Sequence, residues 1–177
     1  MKDGFDTLRA MVKAPPGSGG VITDDSILLI YPPDRELEFR EYLLDKFVPQ
    51  LEAEAVPFRL LDLSGFLFTG LDAETIEDLQ EDEFDDYKWM KQGLAKRVEK
   101  SLVGHLAELA EGLPGGAVIV YATVALHPLI RFAEVLRALR DLDSRIVVAF
   151  PGEERGGKLH FMNQPDGGNY LAVKITL

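Results

Sequence analysis

Four short apolar runs, separated by amphipathic segments, dominate the pattern of the chain. They are SILLIY at 26–31, VPFRLLDL at 56–63, AVIVYATVAL at 117–126 and RIVVAF at 145–150. Continuous apolar runs of this length, bounded by proline, glycine or charged residues, are typical of strands that are buried on both faces of a sheet. We therefore predict four buried strands, the third of which runs on into a loop.

The segments between these runs have helical periodicity. Asp34 is placed to cap a helix over 35–47, and Pro49 is expected to kink or end it. A further amphipathic helix over 128–142 carries Pro128 in its first turn, where proline is tolerated. The clearest helix covers about six turns. Its apolar positions are Met90, Leu94, Val98, Leu102, Leu106, Leu109 and Leu113.

The end of the chain has the alternation of strands. KLHFMN and NYLAVKITL flank the turn-rich QPDGG and predict an antiparallel hairpin. Strands separated by helices imply crossover connections and a mostly parallel sheet. The predicted fold class is α/β: a mostly parallel sheet flanked by helices, a three-layer core like that of nucleotide-binding folds but without a functional phosphate loop, and a C-terminal antiparallel hairpin. Residues 1–20 are expected to form a mobile N-terminal arm, and residues 21–177 a single domain.

Composition narrows the chemistry that this fold could support. The 177 residues include no cysteine, which excludes thiolate catalysis and disulfides and fits a reducing compartment. The formal net charge of -11 opposes binding to a phosphate backbone, so we expect no direct contact with nucleic acid. No apolar stretch is long enough to cross a bilayer, and the first residues lack the apolar core of a signal peptide. We expect a soluble cytoplasmic protein.

Charge is segregated in the middle of the chain. Residues 72–86, here called the acidic segment, hold nine carboxylates and no basic residue, whereas residues 88–100 are mostly basic. The acidic segment lacks the spacing of a calcium loop. It can therefore be a solvated face, a docking surface for a basic partner or, less simply, a site for a divalent metal. The candidate partner-binding residues are Asp72, Glu74, Glu77, Asp78, Glu81, Asp82, Glu83, Asp85 and Asp86.

The stretch GEERGGKL at 152–159 comes within one residue of a phosphate-binding P-loop. Gly152, Gly157 and Lys158 fit the template, but Leu159 stands where a serine or threonine would bind magnesium. Two glutamates lie where phosphate charge would sit, and the residues that follow are strand-like instead of helical. We interpret the stretch as a plain glycine turn that leads from a strand into a hairpin.

No other constellation of residues predicts catalysis. His105, His127 and His160 include no pair at the spacing of a helical zinc site, and no serine lies in a Gly-x-Ser-x-Gly elbow. Asp62 and Thr123 follow predicted strands and so lie at the rim where α/β sheets bind ligands, as does His127. Position alone supplies no mechanism, and we predict no catalytic, cofactor-binding or metal-binding residue.

A family resemblance adds to this reading. It rests on ILLIYPP, a helix rich in arginine and glutamate that holds Phe39 and Arg40, FRLLDL, a variable helical middle, VIVYATVALHPLIRFAEVLRAL, IVVAFPGE and NYLAV. In these segments the chain resembles the BrxB family of bacteriophage exclusion (BREX) systems. The resemblance covers most of 27–177. It implies a small non-enzymatic component of a multi-protein defence assembly, with a large ATPase, a DNA methyltransferase and a PglZ-type protein of the alkaline phosphatase superfamily as partners. It implies no catalytic residues.

Three functions stay open at this point. The first is an adaptor or scaffold that binds through the acidic segment, the adjoining basic residues and the arm before Ser26. The second is a nucleotide- or phosphoester-processing enzyme that uses a degenerate phosphate loop at 152–159, with Lys158, His127 and Asp62 around the rim of the sheet. The third is a homodimeric module in which exposed hairpins pair edge to edge.

Overall fold

The computed structural model describes residues 1–14, 25–69, 71, 76–77, 80, 87–140 and 142–177. Within them the elements follow the alternation of strands and helices that the apolar pattern predicts. In chain order they are α1 (Lys2–Lys13), β1 (Ile27–Tyr31), a 3-10 turn (Pro33–Arg35), α2 (Glu36–Tyr42), a π-helical turn (Leu43–Phe47), α3 (Val48–Ala53), β2 (Phe58–Asp62), α4 (Phe66–Thr69), α5 (Tyr87–Glu111), β3 (Ala117–Tyr121), a second 3-10 turn (Thr123–Leu126), α6 (Phe132–Ala138), β4 (Arg145–Arg155), β5 (Lys158–Phe161), β6 (Gln164–Pro165) and β7 (Val173–Thr176).

The central sheet has the strand order β2-β3-β4-β1-β7, and all of these strands run parallel. Ile27 of β1 lies opposite Val147 of β4 on one side and Val173 of β7 on the other. Every residue of β1 and β3 is buried, as expected for strands covered on both faces. The predicted α/β class, with a mostly parallel sheet flanked by helices, is confirmed.

Each face of the sheet has its own apolar core. Alternate residues of a strand point to opposite faces, so Leu28 and Ile30 pack on one side and Leu29 and Tyr31 on the other. The first face is covered by α5, α6 and β5. The second face is covered by α1, α2 and α3. This gives the three layers of the predicted fold.

The C-terminal hairpin is present, but the strands that form it differ from those predicted. The second half of β4 pairs antiparallel with β5 around Gly156 and Gly157, whose positive φ angles of 57° and 75° suit a two-residue hairpin turn. β7 instead lies parallel to β1: the Val173 N–H donates to the Ser26 carbonyl at 2.9 Å. The prediction that residues 158–163 pair with residues 169–177 was therefore wrong, because alternation predicts a strand but not its partner.

The predicted N-terminal arm contains a helix that packs into the domain. In α1, Phe5, Leu8 and Val12 lie in the second core and are at most 4% exposed. The buried guanidinium of Arg145 donates to the carbonyl oxygens of Met11 and Ala14 at the end of the helix. Residues 2–13 therefore belong to the packed domain, whereas residues 15–20 lie outside the described residues.

The two prolines have different effects on the helices around them. The helix before Pro49 does not end there, because a π-helical turn precedes the proline and the chain stays helical to Ala53. The helix predicted from Pro128 begins only at Phe132, because Arg131 has extended backbone angles that a helix cannot pass through.

Candidate functional site

The strand order defines where a ligand would be expected. β1 and β4 are neighbours, and the chain leaves β1 towards α2 on one face and leaves β4 towards β5 on the other. In open α/β sheets, ligands bind at such switch points, beyond the carboxyl ends of the strands. β1 ends at Tyr31 and is followed by Pro32 and Pro33, and the corresponding part of β4 holds Pro151 and Gly152.

Five side chains form a polar network at this rim on the α2 face. The Tyr31 hydroxyl donates to the Glu36 carboxylate at 2.5 Å. The Arg40 guanidinium lies 5.8 Å from the centre of the Tyr121 ring, and Tyr121 is hydrogen-bonded to Asp62. The network thus ties α2 to the ends of three strands. Its groups are paired with one another, which indicates a structural role instead of an open catalytic site.

The pKa values in this network follow from burial and pairing. Partial burial raises the pKa of Asp62. Hydrogen bonds from Ser64 and Tyr121 and the charge of Arg40 together lower this pKa by more than burial raises it, so it lies below its ordinary value. Burial raises the pKa of Tyr31, and the nearby Glu36 carboxylate adds to the effect. Both groups therefore stay in their usual charge states near neutral pH, Asp62 ionised and Tyr31 protonated.

The raised tyrosine pKa values predict a loss of stability at alkaline pH. Burial also raises the pKa of Tyr170, with Asp166 as a second cause. A raised folded-state pKa stabilises the fold fully below the unfolded value near 10, and this contribution is lost as pH rises above it. Each of the two tyrosines should lower the free energy of unfolding by about 1.4 kcal/mol per pH unit in that range.

Urea unfolding of wild type at a series of pH values, from neutral to above the unfolded tyrosine pKa near 10, measures this loss. We expect Tyr31→Phe to show a shallower alkaline decline than wild type. The control is Tyr87→Phe, which removes a hydroxyl from a side chain that is 59% exposed and should leave the decline unchanged. Identical slopes for wild type and Tyr31→Phe would show that the hydroxyl of Tyr31 is not held protonated by the fold.

The structure separates the rim residues that the sequence singled out. Thr123 is buried and donates to the Ala149 carbonyl at 2.7 Å, so it joins the second 3-10 turn to β4. His127 is half-buried and its ring stacks on Phe161 at 5.2 Å. Asp62 belongs to the polar network described above. Of the predicted trio, Asp62 thus belongs to the polar network, whereas His127 contacts β5 and Lys158 lies on it.

The P-loop-like stretch is a β-hairpin. Gly152 pairs with Phe161, and Arg155 pairs with Lys158. A phosphate loop requires a helix whose N-terminal amides face the anion, and here a strand follows the turn. The interpretation as a glycine turn from strand to hairpin is confirmed. A phosphate loop at 152–159, the alternative considered above, would therefore lack the helix N-terminus that it needs.

Aromatic rings from several segments meet at this hairpin. Phe161 lies 5.0 Å edge-on from Phe150, which in turn lies 5.9 Å edge-on from Tyr170. Phe132, at the start of α6, lies 6.3 Å from Phe161. An aromatic cluster therefore holds the hairpin against the first face of the sheet.

Two grooves flank the hairpin. The larger, about 460 Å³, lies between β5 and the loop 166–170, and its charged lining residues are Lys158 and Lys174. The smaller, about 250 Å³, is lined by His127, Arg131 and Asp166 among others. Sequence reasoning missed both grooves, because their walls come from segments that local patterns do not bring together.

The acidic segment falls almost entirely outside the described residues. Of its nine candidate carboxylates only Glu77 is described, and it is exposed. The residues on either side are better defined: Phe68 before the segment is 68% exposed, and Tyr87 and Trp89 after it are 59% and 71% exposed. Three exposed aromatic side chains therefore flank the acidic segment in the sequence.

Within the described ranges, no three histidine, aspartate or glutamate side chains lie close enough together to hold a metal ion. Among the helices that the structure describes, none combines the length and the apolar character needed to cross a membrane.

Compared with known proteins, the chain matches no family model, no curated protein and no solved structure.

Proposed function

We propose that the chain is a non-enzymatic, cytoplasmic binding module that serves as an adaptor in a multi-protein assembly. The proposal extends to the kind of assembly that the sequence resembles, a BREX-like phage defence system. Its partners there are the large ATPase, the PglZ-type protein and the DNA methyltransferase. The chain contacts them through side chains on its surface and performs no chemistry of its own.

The observation that carries the proposal is the exposure of aromatic side chains at both ends of the acidic segment. Phe68 lies on one side and Tyr87 and Trp89 on the other, each more than half exposed. Exposed aromatic residues next to a charged segment in the sequence are the composition of a binding surface, because aromatic anchors supply affinity and charges guide association. The partner surface is therefore basic and offers apolar pockets.

An apolar groove next to these side chains supports the same location. It measures about 130 Å³ and is lined by Phe66, Leu67 and Leu71 from one side and by Val98 of α5 from the other. Such a groove can receive one apolar side chain of the partner. The first three turns of α5 contain no fully buried residue, so this part of the helix is also open to a partner.

Charge reversal tests the proposal. We expect a tagged variant with Asp82, Glu83, Asp85 and Asp86 changed to lysine to recover its defence partners at least about tenfold less well than wild type from cell extract, since the guiding charges are inverted. The measurement is quantitative mass spectrometry of proteins captured from cells that express the variant at the wild-type level.

A matched control separates a local effect from one of net charge. Glu41, Asp45, Glu52 and Glu108 are exposed and lie elsewhere on the surface, and changing them to lysine alters the net charge by the same amount. This control should recover partners as wild type does. Full recovery by the acidic-segment variant, or equal loss in both variants, would remove the acidic segment from the account.

A further inference from the structure

We propose that the groove between β5 and the loop 166–170 binds a small organic phosphate. This site is separate from the acidic segment and from the polar network at the strand ends. It also differs from a P-loop, because the lysines that define it lie on strands and no helix N-terminus takes part.

The charge of the groove is the first reason. The chain has 30 acidic and 19 basic residues, yet the charged residues that line this groove are Lys158 and Lys174; the neighbouring carboxylates of Glu154 and Asp166 are paired with Lys174 and with the Gly168 N–H. The amide side chain of Asn169 adds a neutral hydrogen-bonding group. The Lys158 ammonium attracts an anion, and the Lys174 ammonium, which is shared with Glu154, adds a second donor; lysine is a common partner of phosphate oxygens.

The second reason is that the walls are already in place. The Lys174 ammonium is held by the Glu154 carboxylate at 3.1 Å, which fixes one cation at the edge of the groove. The opposite loop is fixed by a hydrogen bond from the Gly168 N–H to Asp166 at 3.1 Å. A Cβ at Gly168 would lie 2.6 Å from Ala133, so the loop packs closely on α6. A ligand therefore meets a preformed site.

The third reason is the size and composition of the groove. Its volume of about 460 Å³ lies within the range of small-molecule sites, which favours an organic phosphate over a bare ion. Gly157 and Gly167 have positive φ angles of 75° and 68° and no side chain, so ligand oxygens can approach the backbone there. The Tyr170 ring and Pro165 supply apolar contact for the organic part.

Amide NMR spectra of the full chain test this proposal without any partner protein. Glycerol phosphate, inorganic phosphate and citrate serve as probes, and the amide signals of Gly157, Gly167 and Gly168 are the readout. We expect saturable shifts of these signals with glycerol phosphate, weaker binding of inorganic phosphate, and little response to citrate. Citrate binding as tight as that of glycerol phosphate would overturn the assignment to phosphate.

Lysine variants locate the effect. Lys158→Ala and Lys174→Ala should each weaken glycerol phosphate binding about tenfold, the value of one charged hydrogen bond. Lys46→Ala removes an exposed lysine outside the groove and should bind as wild type does. No saturable shift at millimolar ligand, or equal loss in all three variants, would overturn the proposal. Neither result would bear on the adaptor function, which is measured by partner capture.

Discussion

Phe39→Ala is expected to lower the free energy of unfolding by about 4 kcal/mol, the loss typical of a fully buried phenylalanine. Phe39 has no exposed surface and stacks on Tyr31, with ring centres 4.1 Å apart and planes 5° from parallel. Its ring centre also lies 5.8 Å from that of Phe5. The side chain thus joins α2 to β1 and α1, and truncation leaves a cavity where three elements meet. Urea unfolding followed by circular dichroism measures the loss.

Phe68→Ala is the matched control for this variant. It makes the same chemical change at a side chain that is 68% exposed, and its stability should stay within about 0.5 kcal/mol of wild type. Equal losses in Phe39→Ala and Phe68→Ala would contradict the packing of α2 on the sheet. If the surface proposal holds, Phe68→Ala also weakens partner capture while leaving the fold unchanged.

Gly152→Ala is expected to cost about 3 kcal/mol, at the upper end of ordinary overpacking. A Cβ at this position would lie 2.0 Å from the His160 carbonyl oxygen and 2.9 Å from the Phe150 ring. The first of these atoms belongs to the backbone of β5, so it cannot turn away as a side chain could. The hairpin would have to separate from β4, and the aromatic contact between Phe150 and Phe161 would be lost with it.

Gly104→Ala provides the opposite result in the same measurement. Gly104 is exposed on α5, and a Cβ there meets no atom within 4 Å. Alanine is the better helix former, so this variant should be more stable than wild type by roughly 0.5 to 1 kcal/mol. A Gly152→Ala protein as stable as Gly104→Ala would mean that β5 does not lie across Gly152.

The sheet could be predicted from the sequence because its strands are buried on both faces. Continuous apolar runs mark such strands directly, and the runs at 26–31 and 117–126 contain β1 and β3. The position of β7 could not be predicted in this way, because alternation specifies the faces of a strand and leaves its neighbour open. The packing of α1 was missed for a related reason: the spacing of Phe5, Leu8 and Val12 indicates an apolar stripe but not what covers it.

The candidate sites were harder to predict than the fold. The polar network joins Tyr31, Asp62 and Tyr121 from strand ends to Glu36 and Arg40 of α2, and no local motif connects them. The charge of the acidic segment was evident from composition alone. The exposure of the aromatic residues beside it became clear only from the structure, because sequence position does not specify which side chains the fold covers.

The measurement that tests the central claim most directly is cross-linking of the tagged full chain to its partners at native expression level, followed by mass spectrometry. The account predicts a partner protein in fixed ratio, with cross-links concentrated within residues 66–100, which span the acidic segment and its aromatic flanks. Recovery of the chain alone would contradict it. So would cross-links confined to α1, on the other face of the sheet, and to β7, at its edge.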